Sequence, residues 1–324
     1  MFDEIDFEAA AERLAGVTER TPLVAFDAGD PRLELRLKLE NRQVTGAFKA
    51  RGAWNNIVQL TDEERSRGVI ATSSGNHGRA LAWAARRGGV HATIVMPADA
   101  YPNKIQACRD EEAEVVLGED RAEAEELCRE RVEAGARLVH PYDDPRTIEG
   151  AGTVGLEIAE DWPEVEVVVL PVGGGGLSAG SALALRRRLG ERVAVLAVEP
   201  SGAPSMSLGL AAGRAVPVPE ITTVVQGLCP LNSGELNIAV GGAVLDGCHT
   251  LDDPAIFAAQ RRLVHAGEVV EPAGAAAPAL VFEGGLPESL LAGRDASNPL
   301  RVCAVVSGGN PDPAQLAALQ AEAG

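Results

Sequence analysis

The run VEVVVLPV (165–172), followed by four glycines and then LSAGSALALRRRLG, constrains this chain more than any other stretch. The apolar segment is too short to cross a bilayer. It reads as a strand buried on both faces, and the small-residue turn leads straight into a helix. The same order recurs along the sequence. GVIATS (68–73) precedes GNHGRALAWAARRG, a helix closed by Gly88. HATIVMP (91–97) precedes a helix from about residue 102, and AEVVLG (113–118) precedes EDRAEAEELCRERVEAG. RVAVLAVEP is a further strand, and LRVCAVVSGGN a final strand and turn. Short buried strands alternating with helices imply an α/β chain with parallel sheets covered on both faces. One sheet is expected in the block up to about residue 143 and another in the block from 144. The first forty residues, with a helix at about 7–16 and a strand at 34–39, should pack with the second block. Further helices are expected at about 48–60, at IEGAGTVGLEIAED, at the Asp-capped DDPAIFAAQRRLVHAG and at the small-residue EPAGAAAPALVFEG, with a less regular region at 200–250.

A length of 324 residues gives room for two domains. The formal charge of −18 repels nucleic acid and anionic membrane, so neither is an expected partner. Any anion must be held by local means, such as backbone amides and helix N-termini. The start MFDEIDFEAAAERL is acidic and amphipathic, unlike a signal or transit peptide, and a cytoplasmic location is expected. Cys108, Cys128, Cys229, Cys248 and Cys303 are widely spaced with no C-x-x-C pair. They read as small hydrophobes and not as zinc ligands or a disulfide framework.

Only three of the 29 basic residues are lysines. Lys38 sits in LELRLKLE, where Glu34, Arg36, Lys38 and Glu40 share one face, the pattern of a strand with one solvated side. Lys104 begins an amphipathic helix. Lys49 differs: it lies between Phe48 and Ala50, with Gly46 and Gly52 on either side. A lysine amine can lose its proton and form a Schiff base, which arginine cannot. The alternative is a surface lysine at a helix start.

Three strand ends carry small or Gly-rich turns: TSSGNHG (72–78), PVGGGGLSAG (171–180) and VVSGGN (305–310). Ligands of open parallel sheets sit at such carboxyl ends, so the three could converge. Four successive glycines let several N–H groups point into one concavity, at the positive end of the following helix, as a phosphate requires. Gly174, Gly176 and Ala179 also satisfy G-x-G-x-x-A, with Glu199 ending the next strand, which mimics a dinucleotide fingerprint. A nicotinamide-dependent dehydrogenase is therefore a rival reading. It leaves TGAFKARG (45–52), SSGNHG and SGGN without a role. SSGNHG suits a carboxylate, or is simply a capped helix start.

Taken together, KLENRQVTGAFKARGA (38–53), TSSGNHGRA (72–80), HPYDDPRTIEGAGTVGLEI (140–158), PVGGGGLSAG, AVEPSGAPS (197–205), EPAGAAAPAL (271–280) and SGGN (307–310) stand in the order of a known family. The chain resembles the pyridoxal-phosphate enzymes of the tryptophan-synthase β fold (fold type II), in the threonine/serine dehydratase and serine racemase branch. The resemblance implies two domains, 1–40 plus 144–324 as the large cofactor-binding domain and 41–143 as the small substrate-side domain. Each would be a mostly parallel twisted sheet flanked by helices. It implies that Lys49 holds pyridoxal 5'-phosphate covalently, with Phe48 and Gly227 also at the cofactor. Gly173, Gly174, Gly175, Gly176 and the amide of Leu177 would cradle its phosphate. Asn76 would bond its ring hydroxyl, and Ser307 would stand at the pyridine nitrogen. Ser73, Ser74, Gly75, Asn76 and His77 would surround the substrate carboxylate.

The implied activity is an ammonia-lyase acting on L-threonine or L-serine by α,β-elimination, with Lys49 removing the α-proton. A homodimer is implied too. The alternatives are a serine racemase, in which Ser74 gives the second proton, and a β-hydroxyaspartate dehydratase. The sequence departs from the family pattern at Ala47, where many relatives have serine, and at Gln226-Gly227, where they often have Asp-Gly. Some racemase-like members bind a divalent cation. Glu199 and the carbonyl of Ala203 match that set for Mg2+, Ca2+ or a monovalent ion, but Ser205 replaces an aspartate and weakens it. An extra regulatory domain after SGGN is not expected.

Overall fold

Both blocks of the sequence build a sheet of their own, and the first strands join the later one. The computed structural model describes residues 2–322. Its strands are β1 (Leu23–Phe26), β2 (Leu33–Leu39), β3 (Val69–Thr72), β4 (Ala92–Pro97), β5 (Glu114–Gly118), β6 (Arg137–Leu138), β7 (Val167–Pro171), β8 (Ala194–Pro200), β9 (Gly247–Leu251) and β10 (Leu300–Val306). The six-stranded sheet runs β1-β2-β10-β7-β8-β9 and the four-stranded sheet β5-β4-β3-β6. β1 pairs antiparallel with β2, and the other pairings are parallel. β10 lies between β2 and β7, with Leu300 opposite Leu33, so the first forty residues do belong with the second block. Val167 to Leu170 have no exposed surface, as a central strand covered on both faces requires.

Several elements escape a reading by periodicity. The helices Ser205–Ala212 and Glu235–Val244 lie in the region expected to be irregular. Both are apolar and glycine-containing all round, so no polar stripe marks them. β6 has two residues, and β9 (GCHTL) has no apolar run. The helices Asp62–Arg67, Glu288–Leu291 and Pro313–Ala321 also lie outside the expected elements. The helix Asn76–Gly88 is closed by Gly89, in the left-handed conformation at φ 65°, and not by Gly88.

Lys38 overturns the expectation of a strand with one solvated side. Glu34 and Arg36 are half-buried and paired with each other, but Lys38 and Glu40 are wholly buried. The second half of β2 is covered by the helix Pro145–Asp161. Lys38 Nζ donates to Glu157 Oε2 at 2.6 Å and to the carbonyl of Thr21 at 2.7 Å. Arg51, two residues beyond Lys49 in the helix Lys49–Val58, donates twice to Glu40, from Nε and Nη2, each at 2.8 Å. It also donates to Glu157 at 2.6 and 2.9 Å and to Thr153 Oγ1 at 3.0 Å. Burial pushes the Glu40 carboxyl up, but the adjacent Arg51 charge holds it below its ordinary value. Two acids and two bases, bonded bidentately, thus offset their own desolvation.

Glycine brings the neighbouring helices close. A Cβ at Gly150 would stand 2.5 Å from the carbonyl oxygen of Arg51, and one at Gly180 would stand 2.5 Å from that of Ile148. The helix that starts with Lys49 and the helix that follows the glycine loop therefore both rest on Pro145–Asp161.

Arg51→Met leaves Glu40 and Glu157 buried with too few donors. Urea unfolding should show a loss of about 3–5 kcal/mol, as for other broken buried pairs. Because the folded-state pKa of Glu40 is depressed, the part due to Glu40 is full above the ordinary value of 4.5 and is lost as the pH falls through the lower folded value. A loss below about 1 kcal/mol, the worth of a surface pair, would contradict this account.

Candidate active site

Lys49 is placed by backbone stitching to the end of β10. The amide of Phe48 donates to the carbonyl of Ser307 at 3.1 Å, and that of Gly309 to the carbonyl of Gly46 at 2.7 Å. Gly46 has φ 75°, and a Cβ there would lie 2.6 Å from Asn310 Oδ1, so only glycine fits. SSGNHG joins through side chains: Asn76 accepts from Asn310 Nδ2 at 2.8 Å and donates to Glu271. The Lys49 segment and SSGNHG are thus both tied to SGGN.

Lys49 retains some solvent contact, but its ammonium is enclosed closely enough that desolvation brings it down to about 8. Nζ donates to the carbonyl of Pro141 at 2.5 Å. Two imidazoles stand near, His77 buried and His140 half-buried. His77 is pushed down to about 3, by burial first and then by the Lys49 charge, and its Nε2 donates to the carbonyl of Val139 at 2.8 Å. His140 is lowered by burial, and its Nδ1 accepts from the amide of Asp143 at 2.8 Å. Both are neutral, and the surroundings favour a neutral amine on Lys49 as well.

Phe48, Lys49, Tyr142, Gly173–Gly176, Leu177, Gly227 and Ser307 line one narrow hollow of about 40 Å³. Gly175 has φ 97° and caps the helix Gly176–Leu189. The amides of Gly173, Gly174 and Gly175 find no acceptor among the described residues, and those of Gly176 and Leu177 are the unpaired first donors of the helix. Side chains here would close the loop: a Cβ at Gly174 would stand 2.1 Å from the Tyr142 ring. A bare loop of inward amides at a helix N-terminus suits a phosphate. The residues present therefore fit the phosphate end of the cofactor.

In SSGNHG two side chains are engaged by the protein itself. Ser73 Oγ accepts from the amides of Gly75 and Gly78, at 3.3 and 3.1 Å, and so is turned to its own helix start. The His77 imidazole is turned inward to Val139, because burial disfavours its charged form. That leaves the Ser74 hydroxyl, which is exposed, and the first amides of the helix Asn76–Gly88.

Glu199 settles the dinucleotide mimic. Its carboxylate accepts from the amides of Met206 and Ser207, at 2.9 and 2.8 Å, and is wholly buried, so it does not face a ribose. The residues of the metal expectation are likewise hydrogen-bonded within the protein. Both Glu199 oxygens are engaged, and the Ala203 carbonyl accepts from the amide of Ser205 at 2.8 Å. Among the described residues, no group of three or more His, Cys, Asp or Glu could hold a metal ion.

Glu271 was missed by sequence reasoning, although an acid before proline in an otherwise apolar helix is a signal. It is buried, its pKa is raised by desolvation, and it bonds Asn76. Tyr142, in HPYDD, was missed too. Beyond Asn76 lies a second hollow of about 280 Å³ lined by Arg79, Lys104 and Asn310.

Residues 14–308 match the family model described as pyridoxal-phosphate dependent enzyme. The L-threonine ammonia-lyase of Thermotoga maritima is 40% identical over 313 residues, 95% of this chain and 75% of that protein. The serine racemase of Oryza sativa subsp. indica is 36% identical over 308 residues, 94% of this chain and 89% of that protein. Among solved structures, the T.th. threonine deaminase superposes with a TM-score of 0.83 at 38% identity, covering 94% of this chain and 97% of that one. Maize serine racemase gives a TM-score of 0.87 at 32% identity, covering 98% and 96%.

Reductive methylation of the cofactor-free protein with a small aldehyde, mapped by mass spectrometry, should label Lys49 with a midpoint near pH 8, set by burial of its amine. A midpoint at the ordinary lysine value of 10.5 would show that its surroundings do not favour the neutral amine.

Proposed function

This chain belongs to the pyridoxal-phosphate dependent enzymes, and on that premise we propose that it is an ammonia-lyase converting L-threonine or L-serine to a 2-oxo acid and ammonia. The observation that carries the reading is one hollow holding the Lys49 amine, the bare glycine loop and the Ser307 hydroxyl. Threonine ammonia-lyase and threonine deaminase relatives support the same reaction.

Bound there, pyridoxal phosphate supplies a ring that takes up the electron pair left at Cα when its proton departs. Gly173–Gly176 and Leu177 hold the phosphate through their amides. Ser307, a neutral hydroxyl at the pyridine nitrogen, does not force a charge onto the ring as a carboxylate would. Asn76 orients the ring hydroxyl, and its own amide is held by Glu271 and Asn310. Ser74 and the first amides of its helix receive the substrate carboxylate. Lys49 takes the α-proton, for which a pKa of about 8 suits a base working near neutrality. The β-hydroxyl leaves as water with a proton equivalent to the one Lys49 has gained, and the released enamine tautomerises and is hydrolysed by a water to the 2-oxo acid and ammonia.

Residues 1–40 with 144–324 form the cofactor-binding domain and 41–143 the substrate-side domain; the two sheets, whose strands fall on either side of these bounds, support that division. A homodimer in the cytoplasm goes with this reading, and no described helix is long and apolar enough to cross a membrane. Serine racemisation is the second reading, favoured by the exposed Ser74 hydroxyl and by the racemase relatives.

Two assays separate them: 2-oxo acid release from L-threonine, and chiral chromatography of serine. Lys49→Ala should lose both activities. Ser74→Ala should lose L-to-D exchange and keep L-threonine deamination within about tenfold, because elimination needs no second proton donor at Cα. D-serine formed faster than pyruvate by the wild type would replace the lyase by the racemase. Loss of deamination in Ser74→Ala as complete as in Lys49→Ala would refute the division of roles.

A further inference from the structure

The glycine loop is held from behind by side chains that touch neither hollow. The carbonyl of Gly173 lies 3.3 Å from Ser205 Oγ and 3.4 Å from Ser233 Oγ, and the two hydroxyls lie 2.9 Å apart. Both serines are wholly buried. With one hydrogen each, they form a short relay in which one hydroxyl donates to the other and the second to the carbonyl. The carbonyl of Gly174 accepts from Asn237 Nδ2 at 2.8 Å and from the amide of Gly234 at 3.0 Å. The second hydrogen of the Asn237 amide goes to the carbonyl of Tyr142 at 3.0 Å. Two successive carbonyls are thus pinned outward, which turns the intervening peptide planes and aims their N–H groups into the hollow. Ser205 stands on the helix that Glu199 caps, so the Glu199 carboxylate fixes the relay in turn.

A hard cation beside this loop would need oxygen ligands that are free to face it. Here the Glu199 carboxylate accepts from two backbone amides, the Ala203 carbonyl from Ser205, and Ser205 Oγ is hydrogen-bonded to Ser233. These residues do not fit a cation. They hold the loop themselves, through its Gly173 and Gly174 carbonyls.

We propose that Ser205, Ser233 and Asn237 are positioning residues that set the glycine loop as a phosphate cradle through hydroxyl and amide hydrogens, with no cation taking part. The inference rests on the reading of this loop as the phosphate site.

The test uses the full chain freed of cofactor, titrated with pyridoxal phosphate and separately with pyridoxal, which lacks the phosphate. Tryptophan fluorescence follows binding, with and without a chelator or added magnesium. The wild type should prefer pyridoxal phosphate, with affinities indifferent to chelator and magnesium. The double variant Ser205→Ala/Ser233→Ala should lose about tenfold or more of that preference while its affinity for pyridoxal stays unchanged. Each single variant leaves one hydroxyl within reach of Gly173 and should lose less than the double. Asn237→Leu should also lose preference. Full preference in the double variant with pyridoxal affinity unchanged, equal weakening of both ligands, or a wild-type affinity that falls with chelator and returns with magnesium, overturns this inference alone. No preference in the wild type overturns the phosphate reading of the loop beneath it.

Discussion

The buried ion cluster of Lys38, Arg51, Glu40 and Glu157 is the constraint from which the rest of the site takes its position. It joins β2, the helix that begins with Lys49 and the helix Pro145–Asp161. Such clusters gain little net stability, since desolvation offsets most of the attraction. What this one supplies is a single arrangement. Each charged group has its hydrogen-bond demand met only when all three elements are in place. The glycine contacts at Gly150 and Gly180 then set the remaining spacing. The amine and the phosphate loop are therefore both measured off one helix.

Around Lys49 the protein works without charge. The amine and both imidazoles are driven toward neutrality by burial. The loop that faces them offers amides and no cationic side chain. A chain with a net charge of −18 can still hold an anion this way. Surface charges beyond about 10 Å are screened, whereas amides in a dry concavity act at contact distance.

The sheets, their blocks and the Lys49, glycine and SGGN turns were legible because buried strands and helix starts leave marks within a few consecutive residues. Lys38 was misread because alternation shows which residues share a face but not what covers that face. The helix that covers it lies far along the chain. The 200–250 region hid two helices because glycine and apolar residues on all sides erase the stripe. His77 stands in a recognisable motif, but its inward turn depends on the Val139 carbonyl at the end of a two-residue strand. Glu199 fitted two ligand motifs and serves as a helix cap, since its surroundings are decided by backbone that no motif encodes.

The placement of the three lysines has a consequence for life in a crowded cell. Lys38 is sealed in the core, Lys104 is half-buried against the carbonyl of Asn310, and Lys49 sits in the hollow. The outer surface of the described residues carries its positive charge as arginine, which does not form a Schiff base with a simple aldehyde. A reactive aldehyde metabolite meeting this protein thus finds few amines on which to form stray adducts. The side-chain amine best placed for it, in partial contact with solvent and inclined to give up its proton near neutrality, is that of Lys49.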